Sequence, residues 1–148
     1  EIRQFWQGPL VLAGAIATGR AVLATQAMGA DLAYVGSAFI ATREANAPDA
    51  YKRTIVDSAA ADVVYTNLFT GVHGNYLRSS IVSAGLDPDA LPTSDPSQMS
   101  FGSGRTKAWR DIWGAGQGVG AIHEVPPARE LVARIRGEYH AARAELCP

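Results

Sequence analysis

Two consecutive apolar runs that end in small residues constrain the fold of this chain most. The first run covers residues 11–16 and reads VLAGAI, and the second covers residues 32–36 and reads LAYVG. Parallel strands that are covered on both faces give continuous apolar runs instead of an alternating pattern. The sequence therefore predicts two buried parallel strands, each of which leads into a turn of very small residues.

Helical patterns follow both predicted strands. Thr18 can cap a helix over residues 19–28, and Gly29 can close that helix in the left-handed conformation. After the second strand the segment SAFIAT forms a turn, and residues 48–60 have apolar side chains at helical spacing. The sequence thus predicts two βα units in tandem.

The rest of the chain continues this alternation with long irregular stretches. A third apolar segment covers residues 61–71, and a predicted helix over 75–84 and a Pro-rich irregular stretch over 85–96 follow it. Beyond these we predict a Gly/Ser loop over 100–105, a helix from about residue 106, a Gly-rich segment over 114–120 and a terminal amphipathic helix over 128–144. Alternating strands and helices indicate an α/β fold with a parallel sheet. Two or three βα units cannot close a barrel, so we expect further strands to come from elsewhere.

Composition excludes several classes of partner. The chain has 148 residues and a formal net charge of -1, so no basic excess would attract nucleic acid. No uncharged apolar run reaches the roughly 20 residues that cross a bilayer, and the first residues lack the pattern of a signal peptide. The single cysteine, Cys147, leaves no disulfide framework and no paired-cysteine metal site. We therefore expect a cytoplasmic protein that binds neither membrane nor metal.

The small residues at the strand ends indicate a site for an anion. A strand that turns into a helix through Ala-Gly-Ala exposes backbone N–H groups to a space that no side chain fills. The second turn offers the amides of Gly36 and Ser37 and a hydroxyl group. Two such turns on consecutive strands resemble the phosphate site after strands 7 and 8 of a (β/α)8 barrel. The alternative is that Gly14 and Gly36 only allow strands and helices to pack closely.

Two separated motifs resemble the nitronate monooxygenase family, formerly called 2-nitropropane dioxygenases. The segment LAGAIATGRAVLATQAMGADLAYVGSAFIAT is similar to the part of that family in which a Gly-Gly-Ile turn precedes a Gly-Thr turn. The segment WGAGQGVGAIHEVPPARELVARI is similar to its Ala-Gly-Gln-Gly segment and terminal helix. The resemblance implies that residues 1–148 form the C-terminal half of an FMN-binding (β/α)8 TIM barrel with a loop-rich, helical C-terminal extension. It also implies that the N-terminal half lies outside this chain.

The resemblance further implies which residues hold the FMN phosphate. By position the cofactor-binding residues are Gly14, Ala15, Tyr34, Val35, Gly36, Ser37, Gly116 and Gln117. Ala15 stands where the family usually has glycine, and Ser37 stands where it often has threonine. Both departures are compatible with a phosphate, because the first position needs only its N–H group and the second only a hydroxyl.

The family's usual catalytic base is a histidine in a Gly-Gly-His segment that these residues do not contain. His123 and His140 are most simply a loop residue and a surface residue. We therefore expect the base in the N-terminal half, with His73 as a weak catalytic candidate in this chain, since it could line a substrate pocket together with Asn75, Tyr76 and Arg78. The alternative is that His73 belongs to a structural turn. Relatives often carry an arginine where this chain has valine at position 72, which puts their substrate in doubt here.

Two further pairs of residues have a structural and a functional interpretation. Trp109 and Trp113 are four positions apart, a spacing that favours packing of one helix face against the core. The alternative is that their rings cover the flavin. Arg105 and Lys107 are most simply solvated charges beside a loop, although an anionic substrate such as a CoA phosphate could meet them.

Three functions follow as hypotheses. The first is an FMN-dependent oxidoreductase that oxidises a nitronate with O2, with a small-molecule substrate and the N-terminal half of the barrel as partners. The second is an FMN-dependent enoyl-thioester reductase or acyl-CoA dehydrogenase-like enzyme. The third is a non-catalytic phosphate-binding or structural half-barrel. A homodimer is compatible with each of them.

Overall fold

A computed structural model of the chain describes residues 1–95 and 111–146. In chain order the strands and helices are β1 (Val11–Ala13), α1 (Gly19–Ala27), β2 (Leu32–Tyr34), α2 (Ser37–Ile40), α3 (Asp49–Asp57), β3 (Val63–Thr66), β4 (Gly74–Leu77), α4 (Arg78–Ser83) and α5 (Ala128–Leu146). Short 3-10 helices cover Ile2–Gln4, Ala60–Asp62 and Gln117–Ala121.

The first two βα units have the predicted order and parallel pairing, but the prediction that their strands are buried is wrong within the described residues, because nothing there covers one face of the pair. Strands β1 and β2 are parallel, and Val11 lies opposite Leu32 while Ala13 lies opposite Tyr34. Strand β1 is shorter than predicted, because the chain leaves the extended conformation at Gly14, where φ is +110°. Strand β2 ends at Tyr34, two residues before the predicted end. The small residues that end the apolar runs therefore belong to the turns and not to the strands.

The ends of helix α1 confirm the predicted caps. The hydroxyl oxygen of Thr18 accepts a hydrogen bond from the N–H of Ala21 at 3.2 Å. At the other end Gly29 adopts a φ of +88°, which is the left-handed closure that glycine favours.

Helix α3 is shorter than the predicted 48–60, because Pro48 precedes its first turn and Ser58 returns to an extended backbone.

The prediction of a helix over residues 75–84 is wrong in its first part. Residues 74–77 form strand β4, which pairs antiparallel with β3 so that Thr66 lies opposite Gly74 and Val63 opposite Leu77. The other edge of β4 receives residues 113–115, with a hydrogen bond of 2.7 Å from the Leu77 N–H to the Trp113 carbonyl. These backbone partners on both sides outweigh the local helical pattern, and the helix begins only at Arg78. Alternation of parallel strands therefore stops after β2.

The Pro-rich stretch is irregular as far as residue 95, as predicted. It is held to the hairpin by side chains: Arg78 makes two hydrogen bonds to Asp89 at 2.7 and 2.9 Å, and the amide of Asn67 pairs with the backbone of Ser94 at 2.9 and 3.0 Å. The predictions for the Gly/Ser loop, for Arg105, Lys107 and Trp109, and for Cys147 lie outside the described residues.

The terminal helix α5 packs against α1 at very short range. A Cβ atom at Gly19 would lie 2.1 Å from the carbonyl oxygen of Ile135 and 2.2 Å from the nitrogen of Tyr139, so only glycine fits there. The carboxylate of Glu138 accepts a hydrogen bond of 2.7 Å from the Gly19 N–H. Residues far apart in sequence thus fix the start of α1.

The hydrophobic core lies between these helices and the turns that follow β1 and β2. Its buried members are Ala17, Ala38, Ala41, Ile55, Leu77, Ala115, Val119, Ile122 and Leu131. One face of the β1–β2 sheet is left uncovered: Val11, Leu32 and Tyr34 are 49%, 59% and 65% exposed. Within residues 1–95 and 111–146, no helix has the length and apolar character needed to cross a membrane.

Candidate functional site

A cleft of about 170 Å3 opens where β1 and β2 end. It is formed by the turns after both strands and by the Gly-rich segment that follows Trp113. Its lining residues are Ala13, Gly14, Ala15, Ile16, Ala17, Tyr34, Gly36, Ser37, Gly116 and Gly118. None of these side chains carries a charge, so a ligand in the cleft meets backbone groups, apolar side chains and the hydroxyl-bearing side chains of Ser37 and Tyr34.

The first turn has an unusual backbone. Gly14 adopts a φ of +110°, and Ala15 follows with a φ of +53°. Among the described residues, Ala15 is the only one other than glycine with a positive φ. Consecutive residues in such conformations form a concave backbone that can direct N–H groups toward an anion. An alanine in this region costs about 1–2 kcal/mol, so the turn is held by its surroundings.

The second turn is tied to the Gly-rich segment. The hydroxyl oxygen of Ser37 accepts a hydrogen bond of 2.9 Å from the N–H of Gly116. Two residues later, a Cβ atom at Gly118 would lie only 3.0 Å from the carbonyl carbon of Ala15. The Gly-rich segment therefore contacts both turns and forms the third wall of the cleft.

The glycines of the turns face open space. A Cβ atom at Gly14 or at Gly36 would have no atom of the described residues within 4 Å. Close packing, the alternative explanation for these two glycines, is therefore excluded within the described part of the chain. Glycines do serve close packing elsewhere, at Gly19 against α5 and at Gly118 against Ala15.

Several N–H groups in the cleft are available to a ligand. Within residues 1–95 and 111–146, the N–H groups of Ala15, Gly36 and Ser37 donate no hydrogen bond to a protein acceptor. At the start of helix α1 two N–H groups already have partners in the protein, because Gly19 donates to the carboxylate of Glu138 and Ala21 donates to the hydroxyl oxygen of Thr18. The N-terminus of α1 therefore has a carboxylate of the protein itself as an anionic partner.

Six of the eight predicted cofactor-binding residues line the cleft: Gly14, Ala15, Tyr34, Gly36, Ser37 and Gly116. The other two do not. Val35 packs its side chain against the core, and Gln117 is exposed, with its amide oxygen 3.5 Å from the amide nitrogen of Asn75. Contact of any of the eight residues with a cofactor stays a prediction. Sequence reasoning missed Gly118, although its place in the Gly-Gln-Gly run was a usable signal.

Comparison with known proteins assigns the family. The sequence model of the nitronate monooxygenase family matches residues 2–138. The chain belongs to the nitronate monooxygenase family. The nitronate monooxygenase of Paraburkholderia phytofirmans is 28% identical over 145 residues, which cover 93% of this chain and 40% of that protein. The chain thus spans about two fifths of the length of this relative.

Solved structures show the fold of this family member. A nitroalkane oxidase from Streptomyces ansochromogenes is similar with a TM-score of 0.75 and 31% identity, over 98% of this chain and 43% of that one. FabK from Thermotoga maritima has a TM-score of 0.72 at 22% identity, over 98% of this chain and 48% of that one. Both contain (β/α)8 barrels, so the described elements of this nitronate monooxygenase family member have the fold of the C-terminal part of such a barrel.

The histidines of this family member lie away from the cleft. His73 is exposed, stacks on Tyr65 at a ring distance of 4.8 Å, and lines a separate cavity of about 220 Å3. Its proposed neighbours point elsewhere, since Arg78 pairs with Asp89 and Tyr76 contacts Phe69 edge-on. His123 and His140 are exposed. The structure thus brings no histidine to the wall of the cleft within the described residues.

Trp113 has the structural role that the sequence favoured. Its ring stacks on Tyr51 of helix α3 with 5.1 Å between centroids and 15° between planes, and both rings pack against the core. The hydroxyl of Tyr51 donates a hydrogen bond to the carbonyl oxygen of Gly114. Burial raises the pKa of Tyr51 above its ordinary value of 10.0, which keeps the phenol protonated and able to donate.

Proposed function

We propose that this chain is the phosphate-binding, C-terminal half of an FMN-dependent oxidoreductase of the nitronate monooxygenase type. One observation carries the proposal. At the ends of neighbouring parallel strands, two turns have glycines whose Cβ positions meet no atom of residues 1–95 and 111–146, beside N–H groups that have no acceptor in that part of the chain. Membership of the nitronate monooxygenase family supports FMN as the ligand. The phosphate of FMN would be the anion that the N–H groups of the two turns hold.

The donors of the cleft fit a phosphate group. The N–H groups of Ala15, Gly36 and Ser37 and the hydroxyl of Ser37 are neutral donors, and none of the described residues that line the cleft has a carboxylate that would repel an anion. Hydrogen bonds to a charged acceptor contribute about 1.5–3 kcal/mol each. A few of them suffice to make binding depend on the phosphate, without the help of a lysine or an arginine.

In this proposal the chain fixes where the flavin lies, by holding the phosphate at the cleft. FMN, when bound, would supply electron transfer between a small organic substrate, a nitronate in our proposal, and O2. Tyr34 lines the cleft and is 65% exposed, so its ring can contact the ligand beyond the phosphate. We do not assign the catalytic base to any described residue, because none of the histidines reaches the cleft.

We also propose that further βα units complete the barrel around the β1–β2 sheet. Parallel sheets are normally covered on both faces, yet Val11, Leu32 and Tyr34 leave one face open. The relatives are more than twice as long as this chain, which supports a source for the missing strands.

The cytoplasm is the proposed location, because a single cysteine leaves no internal disulfide. Assembly into a homodimer stays a prediction.

Flavin binding tests the phosphate site. The full-length protein, with the further βα units in place, is titrated with FMN and, separately, with riboflavin, which lacks the phosphate, and binding is followed by flavin fluorescence. We expect FMN to bind at least about tenfold more tightly, since two hydrogen bonds to the phosphate contribute more than 1.4 kcal/mol. Equal affinities, or no binding of either flavin, would contradict the proposal.

Anaerobic reduction tests the reaction class. In the full-length protein, with the further βα units in place, we expect a nitronate to bleach the visible absorbance of the bound flavin, and O2 to be consumed when air is readmitted. A change of the spectrum with an enoyl thioester in place of the nitronate would instead support the reductase hypothesis. Absence of any response to both compounds would refute an oxidoreductase.

A further inference from the structure

The third wall of the cleft is built as an added strand. Residues 113–115 run along the free edge of β4, where Leu77 donates to Trp113 at 2.7 Å and Ala115 donates to the carbonyl of Asn75 at 3.2 Å. Gly114 forms an antiparallel bridge with Tyr76. Beyond Ala115 the chain leaves this edge and reaches the cleft at Gly116.

Tyr51 anchors this wall from the opposite side. Its hydroxyl donates to the Gly114 carbonyl, and its ring stacks on the neighbouring Trp113. Both contacts come from helix α3, none of whose residues lines the cleft. Tyr51 therefore contacts the segment from outside the cleft.

The next link leads from Gly116 to the second turn. The N–H of Gly116 donates to the hydroxyl oxygen of Ser37 at 2.9 Å. A serine hydroxyl has one proton and two lone pairs, so an oxygen that accepts from Gly116 keeps its own proton for another acceptor. Within the described residues the Ser37 hydroxyl donates to no protein atom, and Ser37 lines the cleft.

We propose that Tyr51 is a positioning residue for the anion site: by holding Gly114 it places the Gly116 N–H, which turns the Ser37 hydroxyl proton toward the ligand. This inference rests on the proposed function, since it takes the phosphate of FMN as that ligand. It gives a role in binding to a half-buried tyrosine on a helix that does not line the cleft.

The test is the substitution Tyr51→Phe, which removes the hydroxyl and keeps the ring that stacks on Trp113. We expect FMN to bind about three- to tenfold more weakly, while riboflavin binds as to the wild type, because the perturbed group meets only the phosphate. Tyr139→Phe is the matched control. It also removes a tyrosine hydroxyl bond, 2.7 Å to Gln26 on the surface, and should change neither affinity.

A double-mutant cycle with Ser37→Ala separates positioning from a general loss of stability. If Tyr51 acts through Ser37, Tyr51→Phe weakens FMN binding in the wild type but adds nothing once the hydroxyl is gone. Fully additive losses would overturn the inference, as would an equal loss of riboflavin affinity. If the wild type itself shows no preference for FMN, the proposed function fails. If the preference survives Tyr51→Phe undiminished, only the role of Tyr51 fails.

Discussion

The substitution Gly36→Ala separates a glycine kept for a ligand from a glycine kept for packing. A Cβ atom at position 36 would have no atom of the described residues within 4 Å, and the backbone φ of -105° is one that alanine adopts freely. Replacing glycine by alanine at a compatible site stabilises a protein by about 0.4–1 kcal/mol, because the unfolded chain loses freedom. We therefore expect the ligand-free variant to be as stable as the wild type or slightly more stable.

The same methyl group should weaken FMN binding. Gly36 lines the cleft, so the methyl occupies space that the phosphate would use and separates it from one or two backbone donors. Each lost hydrogen bond to the charged phosphate costs about 1.5–3 kcal/mol, which corresponds to a loss of affinity between about tenfold and a hundredfold for a single bond. Riboflavin should bind to both proteins alike.

Urea unfolding measures the first effect, and calorimetric titration with FMN and riboflavin measures the second. The matched control is Gly137→Ala, since that position in α5 also has no atom within 4 Å but does not line the cleft. The control should gain stability and bind FMN normally. If Gly36→Ala destabilises the ligand-free protein by more than about 1 kcal/mol, or leaves FMN affinity unchanged, the reasoning is refuted.

Three further predictions follow from the structure. Gly19→Ala should destabilise the protein by about 2–4 kcal/mol in urea unfolding, because the methyl would displace α5 at Ile135 and break the bond to Glu138; an unchanged midpoint would contradict the packing. Ala15→Gly should raise stability by about 0.5–1 kcal/mol and preserve FMN affinity, because it relieves the positive φ and keeps the N–H; a lower urea midpoint would count against strain at this turn. Tyr51 should ionise above pH 10.0 in an ultraviolet titration, because burial raises its pKa. The raised pKa favours the neutral phenol in the folded state, so the contribution of Tyr51 to stability is complete below pH 10 and is lost as pH rises through the higher folded pKa. If the titration curve of Tyr51→Phe keeps the ionisation step above pH 10.0, the assignment to Tyr51 is refuted.

The sequence predicted correctly those elements whose conformation depends mainly on neighbouring residues. The continuous apolar runs located β1 and β2, and Thr18 and Gly29 correctly marked the ends of α1. The small residues after each strand also located the turns of the cleft, because turn conformations with positive φ leave few alternatives to glycine.

Contacts between distant segments account for what the sequence did not show. Residues 75–77 fit a helical pattern, but β3 and residues 113–115 supply backbone partners that only the folded chain brings together. Likewise, Gly14, Gly19, Gly36 and Gly118 look alike in the sequence. Two of them face open space and two touch backbone, and this difference depends on elements far along the chain.

A solution NMR titration of the amide-labelled chain with FMN tests the central claim most directly. The account predicts that the amide resonances of Ala15, Gly36 and Ser37 move most, with downfield proton shifts typical of hydrogen bonds to phosphate, and that riboflavin leaves them in place. Largest shifts around Tyr65 and His73, with the amides of the two turns unmoved, would contradict it.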